Sequence, residues 1–114
     1  MKVVALGGST RPDSSSERAL RLCGAAVAEL GGDVTFFAGR DLMMPIYDHT
    51  SDDRTPTASA FVTAIREADG VLVASPGYHG AVSGLVKNAL DYLEDLREDP
   101  RPYLDGRPIG IIAV

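Results

Sequence analysis

Two stretches of this chain hold residue types that could do chemistry. The first is Leu6-Gly7-Gly8-Ser9-Thr10-Arg11-Pro12-Asp13-Ser14-Ser15-Ser16-Glu17-Arg18, where hydroxyl side chains crowd the segment between an apolar run and a helical pattern. That context puts Ser14 and Ser16 at the front of a helix, whose first N–H groups have no intrahelical acceptor. A helix start carries roughly half a positive charge, and Arg11 adds a permanent cation, so the stretch suits an anion, phosphate above all. Helix capping by Asp13 or Ser14, with Glu17 closing a capping box from Ser14, explains part of the pattern. Capping needs only one hydroxyl. The second stretch, Pro76-Gly77-Tyr78-His79-Gly80, is a turn by composition. Gly77 and Gly80 leave backbone groups open to the edge of a planar heterocycle, and Tyr78 and His79 can pack on or beside it. The plainer alternative is an ordinary exposed turn.

Neither stretch offers an acid, base, nucleophile or metal site. His79 has no carboxylate at ligand spacing, and His49, beside Asp48 and near Asp52 and Asp53, reads as part of a solvated loop. Cys23 sits among the apolar residues of a helical pattern, as a buried, inert thiol does.

The elements that must position these stretches follow from hydrophobic periodicity. Strands are expected at Lys2–Leu6, Asp33–Ala38, Gly70–Ser75 and Ile109–Val114, all near-continuous apolar runs. Helices are expected from Ser15 to Leu30, with Leu20, Cys23, Val27 and Leu30 on one face, and from Thr57 to Ala68, with Ala58, Phe61, Ile65 and Ala68 inward. A third should run from about Ala81–Ser83 to Glu98 with Val82, Leu85, Val86, Ala89, Leu93 and Leu96 toward the core. Its acidic run Glu94, Asp95, Glu98, Asp99 reads as a solvated face, and Lys87 with Asp91 as a surface ion pair. The loop from Gly39 to Pro56 holds an apolar patch, Leu42 to Tyr47, that either tucks over its own core or forms a cofactor-site wall or subunit contact.

Apolar strands alternating with amphipathic helices indicate an α/β fold with a parallel sheet covered on both faces. Right-handed crossovers leave a flavodoxin-like, doubly wound sheet of order 2-1-3-4(-5) as the natural topology. The chain ends inside or just after strand four, which would leave an apolar face and an unpaired edge. A last strand and helix missing from the sequence, or a partner subunit, would cover them. Ligands of such sheets bind at the carboxyl ends of the strands where the order reverses, between strands one and three. The two unusual stretches follow those two strands.

At 114 residues with 45% hydrophobic and 24% charged residues, the chain has the length and composition of one soluble domain, residues 1–114. A net charge of -5 argues against nucleic acid and anionic membranes as partners. One cysteine, no leader pattern and no apolar run of membrane-spanning length make the cytoplasm the expected compartment. Other phosphate loops fail on residue type. No lysine stands between Val3 and Lys87, as a nucleoside-triphosphatase loop requires. Gly7-Gly8 is followed by no third glycine of a dinucleotide fingerprint, and Ser75 stands where a phosphorelay receiver would carry aspartate. A terminal phosphate monoester remains.

Gly8-Ser9-Thr10-Arg11 with Ser14 and Ser16, and Ser75-Pro76-Gly77-Tyr78-His79-Gly80 running into Ser83-Gly84-Leu85-Val86-Lys87-Asn88-Ala89-Leu90-Asp91, resemble the NADPH-dependent FMN reductase family. That family has a flavodoxin-like fold and includes flavin, azo-dye, quinone and chromate reductases. The resemblance implies that Ser9, Arg11, Ser14 and Ser16 hold the FMN phosphate, and that Pro76, Gly77, Tyr78, His79 and Gly80 border the isoalloxazine ring. Two positions depart from the pattern: Ser16 where many members have asparagine, and Gly77 where an acidic residue is frequent. The family's Gly-rich loop after strand four, its next helix and its fifth strand have no counterpart in this sequence. The resemblance further implies a homodimer with the flavin near the interface, NAD(P)H as co-substrate and a small-molecule electron acceptor. A flavodoxin-type electron carrier and a non-catalytic phosphate-binding module are the alternatives.

Overall fold

Four parallel strands carry the molecule, in a computed structural model that describes residues Met1–Val114. They are β1 (Lys2–Gly7), β2 (Asp33–Ala38), β3 (Gly70–Ser75) and β4 (Ile109–Ala113), in the order β2-β1-β3-β4. The helices are α1 (Ser15–Glu29), α2 (Pro56–Glu67) and α3 (Gly84–Asp91). The expected doubly wound, flavodoxin-like arrangement is therefore the observed one. No helix is long and apolar enough to cross a membrane.

Alternating strand residues supply the two layers. Val4, Leu6, Val71 and Val73 face α2 and α3, where they pack with Phe61, Ile65, Val86, Leu93 and Leu96. Ala5, Ala74 and Leu72 face α1, where Leu20 is fully buried. The α2 face is the expected one, and Phe61 meets Phe37 edge to face at 5.2 Å between ring centres. Thr55 and Ser83 cap α2 and α3 by accepting from the Ala58 and Val86 amides.

Several expectations differ from the structure. Leu30 lies outside the core, 87% exposed, because α1 ends at Glu29 and leaves it as the C-cap. Val82 is also exposed, since the helix starts at Gly84 and Val82 lies before its cap. The third helix is α-helical only to Asp91 and then tightens into a 3-10 turn, Tyr92–Leu96. Its acidic run is not simply solvated. Asp95 takes a bidentate guanidinium from Arg54, Asp99 pairs with Arg66, and Glu94 accepts from the Tyr103 hydroxyl. The Lys87–Asp91 ion pair forms as expected.

The loop between β2 and α2 tucks over its own core. Leu42 is buried, and Asn88 of α3 clamps the backbone, accepting from the Tyr47 amide and donating to the Met44 and Pro45 carbonyls. Tyr92 donates to the same Pro45 carbonyl, and Arg54 stacks on both Tyr47 and Tyr92. Arg107 closes the opposite end of the molecule. Its buried guanidinium donates to the carbonyls of Arg66, Ala68, Arg101 and Tyr103, satisfying the C-terminal turn of α2. Desolvation at that position lowers its pKa. β4 is an edge strand paired only to β3, with Ile111 77% exposed.

Candidate functional site

The close pairing of β1 with β3 brings the two chemical stretches together. Gly7 stands opposite Ala74 in the register, and the Gly8 amide donates to the Ala74 carbonyl at 3.2 Å. A Cβ on Gly7 would lie 2.0 Å from that carbonyl oxygen, so only glycine lets the strands meet here. One residue beyond this junction the hydroxyl-rich loop leaves β1, and the Pro76–Gly80 turn leaves β3. Both therefore start from neighbouring strand ends on the same rim of the sheet.

In the first loop the backbone is a cradle of unengaged donors. Arg11 N–H donates to Ser9 Oγ, and Glu17 N–H to Ser14 Oγ, the N-cap of α1. The N–H groups of Ser9, Thr10, Asp13, Ser14, Ser15 and Ser16 donate to nothing within the chain. The Arg11 side chain is exposed and has no partner. Ser14 and Ser16 are both buried, with their hydroxyls 3.3 Å apart. Either hydroxyl of this pair can donate to the other, so the two are joined at the start of α1. The expected capping box is half formed, because the Glu17 carboxylate turns instead to Arg21 at 3.1 Å.

The second loop is latched at both ends. Ser75 Oγ donates to the Pro76 carbonyl at 2.9 Å and accepts from the Ser83 amide at 2.8 Å. The Gly77 N–H donates to the Val114 carbonyl and the Gly80 N–H to Gly77, so neither glycine amide is open to a ligand. The free donors are instead the N–H groups of Tyr78 and His79. Tyr78 is 57% exposed, and His79 holds a left-handed conformation at φ 53. Asp13 in the first loop does the same at φ 54. Non-glycine residues at positive φ are uncommon, and each of these loops carries one; the third, Tyr103 at φ 56, lies in the segment before β4.

Beside the turn lies a groove of about 360 Å³, walled mainly by apolar groups of Pro76, Gly77, Gly80, Val82 and Ile111. A hollow of about 430 Å³ beside Pro45, Arg54 and Tyr92 and one of about 450 Å³ beside Gly24 and Phe36 are larger. Neither touches a cradle residue or the turn, whereas the smaller groove is walled by the turn itself, on its β4 side. The charge perturbations also lie away from the rim. Arg54 hydrogen bonds hold the Asp95 carboxyl below its ordinary range, and burial, then Asp95, raises the Tyr47 phenol. No cluster of His, Cys, Asp and Glu is arranged for a metal.

Sequence reasoning missed the supports of this rim. The Ser75–Ser83 latch had one signal, a serine ending the strand and another just before the helical period. Asn88 had another, a polar residue amid the inward positions of α3.

The chemistry required of these loops fits FMN: unengaged amides and one free arginine for a phosphate monoester, and an apolar groove beside open amides for a ring. The chain is 33% identical over 115 residues to a 2-hydroxy-1,4-benzoquinone reductase of Burkholderia sp, covering 99% of this chain and 60% of that protein. It is 33% identical over 100 residues to an FMN reductase (NADPH) of Escherichia coli strain K12, covering 83% of the chain and 49% of the relative. It thus spans between about half and three fifths of the length of these two relatives. Among solved structures it is similar to FerB, a flavoenzyme NAD(P)H:(acceptor) oxidoreductase from Paracoccus denitrificans, with a TM-score of 0.77. That likeness has 22% identity and covers 98% of this chain and 59% of the other, which bears on the fold. A sequence model described as NADPH-dependent FMN reductase matches residues 1–114, and the chain belongs to that family.

Proposed function

We propose that this chain is the FMN-binding domain of an NAD(P)H oxidoreductase that passes reducing equivalents from nicotinamide through flavin to a small acceptor such as a quinone, azo dye or free flavin. The observation that carries it is the pairing of an open amide cradle with a latched, ring-sized turn on adjacent strand ends. Ser9, Arg11 and the Asp13–Ser16 amides receive the phosphate, with the joined Ser14 and Ser16 hydroxyls at the start of α1 beside it. Pro76, Gly77, Tyr78, His79 and Gly80 border the ring, with the Tyr78 and His79 amides as its donors. FMN, when bound, supplies the hydride chemistry; the protein places it and leaves one face open. No side chain serves as acid, base or nucleophile.

The names of the relatives support quinone, azo and flavin acceptors, and the NADPH in the family's description supports the co-substrate. We further infer that the protein acts in the cytoplasm as a homodimer. Met43 and Ile46, 53% and 83% exposed on a loop clamped by Asn88, supply apolar contact surface for a second copy.

The visible spectrum of the purified protein, before and after NADPH under exclusion of air, tests this function. Expected are flavin bands that bleach with NADPH and return on adding a quinone. A yellow protein inert to NADPH and NADH would be an electron carrier instead. A colourless protein that takes up no FMN would be a phosphate-binding module.

A further inference from the structure

No side chain of the turn itself holds the turn down. Every residue from Gly77 to Val82 is exposed, and none of them belongs to either core cluster. The bonds inside the turn run from the Gly80 amide to the Gly77 carbonyl at 3.1 Å and from the Ala81 amide to the Tyr78 carbonyl at 3.0 Å. They shape the turn without fastening it to the sheet. The free Tyr78 and His79 amides are therefore aimed by whatever fixes its ends.

Those ends are Ser75 and Ser83, 7% and 4% exposed. One hydroxyl joins them: Ser75 Oγ accepts from the Ser83 amide at 2.8 Å and donates to the Pro76 carbonyl at 2.9 Å. Ser83 is also the N-cap of α3, its own Oγ accepting from the Val86 amide, so the Ser75 hydroxyl ties the turn to the helix that follows. The other fastening is backbone alone, from the Gly77 amide to the Val114 carbonyl at 2.9 Å. Ser75 is thus the one side chain that fixes the turn. Without its hydroxyl the Ser83 amide would be buried and unpaired, a cost relieved only by opening the turn toward water. The hydrogen bonds of the phosphate cradle run through Ser9, Ser14 and Ser16 and include neither Ser75 nor Ser83.

We propose that Ser75 is a positioning residue for the flavin ring: its hydroxyl holds the Tyr78 and His79 amides where the ring meets them and leaves phosphate binding to the other loop. The inference rests on the flavin reading above. The coupling is reciprocal, so if opening the latch weakens ring binding by some factor, ring binding must oppose opening of the latch by the same factor.

Amide NMR titration of the full chain with riboflavin and, separately, with inorganic phosphate tests this. Ser75→Thr and Ser75→Val introduce side chains of nearly one shape that differ by the hydroxyl. Expected is riboflavin binding about tenfold weaker in Ser75→Val and within about twofold of wild type in Ser75→Thr, with phosphate affinity the same in all three. Thr55→Ala, which removes the cap of α2 and so loses stability elsewhere, should leave riboflavin affinity unchanged. In the wild-type chain, saturating riboflavin should slow hydrogen exchange at the Ser83 amide by about the same tenfold, a readout that stands even where Ser75→Val fails to fold. Equal riboflavin affinity in the Val and Thr variants, or Ser83 exchange indifferent to riboflavin, refutes the positioning role. So does an equal loss of riboflavin and phosphate binding in Ser75→Val, because Ser75 then only supports the fold. A wild-type chain that binds neither riboflavin nor FMN overturns the proposed function, and this inference with it.

Discussion

Replacing Gly7 by alanine should damage the junction from which both ligand loops spring. The new Cβ would sit 2.0 Å from the Ala74 carbonyl oxygen, where ordinary contact begins near 3.4 Å. The strands must therefore part locally by more than an ångström, which disrupts the 3.2 Å bond from the Gly8 amide to the same carbonyl. Overpacking contributes about 1–3 kcal/mol, the lost hydrogen bond about 1, and the backbone strain at φ +146 about 1 more. The sum, about 3–5 kcal/mol, is a large part of what a domain of this size has. Gly31→Ala is the matched control, because Gly31 also has positive φ but nothing within 4 Å of its would-be Cβ. It should lose only the strain, about 1 kcal/mol. Urea unfolding of both variants reads the difference, with the Gly7 midpoint falling further by about 1–2 M. If the two variants lose the same stability, the close approach of β1 and β3 is not what holds the rim together.

Arg11→Ala should weaken FMN binding by about 1.5–3 kcal/mol, through loss of a charge-assisted bond, and leave the urea midpoint unchanged because Arg11 has no partner in the protein. Flavin fluorescence quenching reads the first and unfolding the second. Asn88→Ala should release the 44–47 loop at about 2–3 kcal/mol, three hydrogen bonds at about 1 each, and hydrogen exchange at the Tyr47 amide should accelerate accordingly. Asp95→Asn should cost about 2 kcal/mol at neutral pH, since the side chain is 23% exposed and its partner Arg54 only 14%. The Asp95 pKa is depressed in the folded chain by Arg54, so its contribution is complete above the ordinary carboxylate range and is lost as pH falls through the depressed value. The stability gap between wild type and Asp95→Asn should thus be flat from pH 7 to about 5 and close at lower pH.

The strands and the α2 face were legible because apolar runs and a 3.6-residue period are local signals. The strand order followed from connection rules, and the loop pair from where those rules put the crevice. What stayed hidden depends on contacts distant in sequence. Arg54 and Asp95 are 41 residues apart, and only the packed loop brings one to the other. Nothing local to Arg107 indicates that four carbonyls will converge on it. Leu30 and Val82 differ for the opposite reason: the period extends onto the C-cap of α1, Leu30, and past the N-cap of α3, Ser83, where the helical face no longer exists. The glycines of the second loop form the expected turn but are not open donors, because the Val114 carbonyl engages the Gly77 amide and the Gly77 carbonyl the Gly80 amide.

A backbone-amide NMR titration reads most directly whether one mononucleotide spans both loops. FMN should shift the amides of Ser9, Thr10 and Asp13–Ser16 together with those of Tyr78 and His79, all saturating at one equivalent. Riboflavin should move only the second group and inorganic phosphate only the first. Separate saturation of the two groups under FMN, or shifts confined to either one, would contradict the shared site.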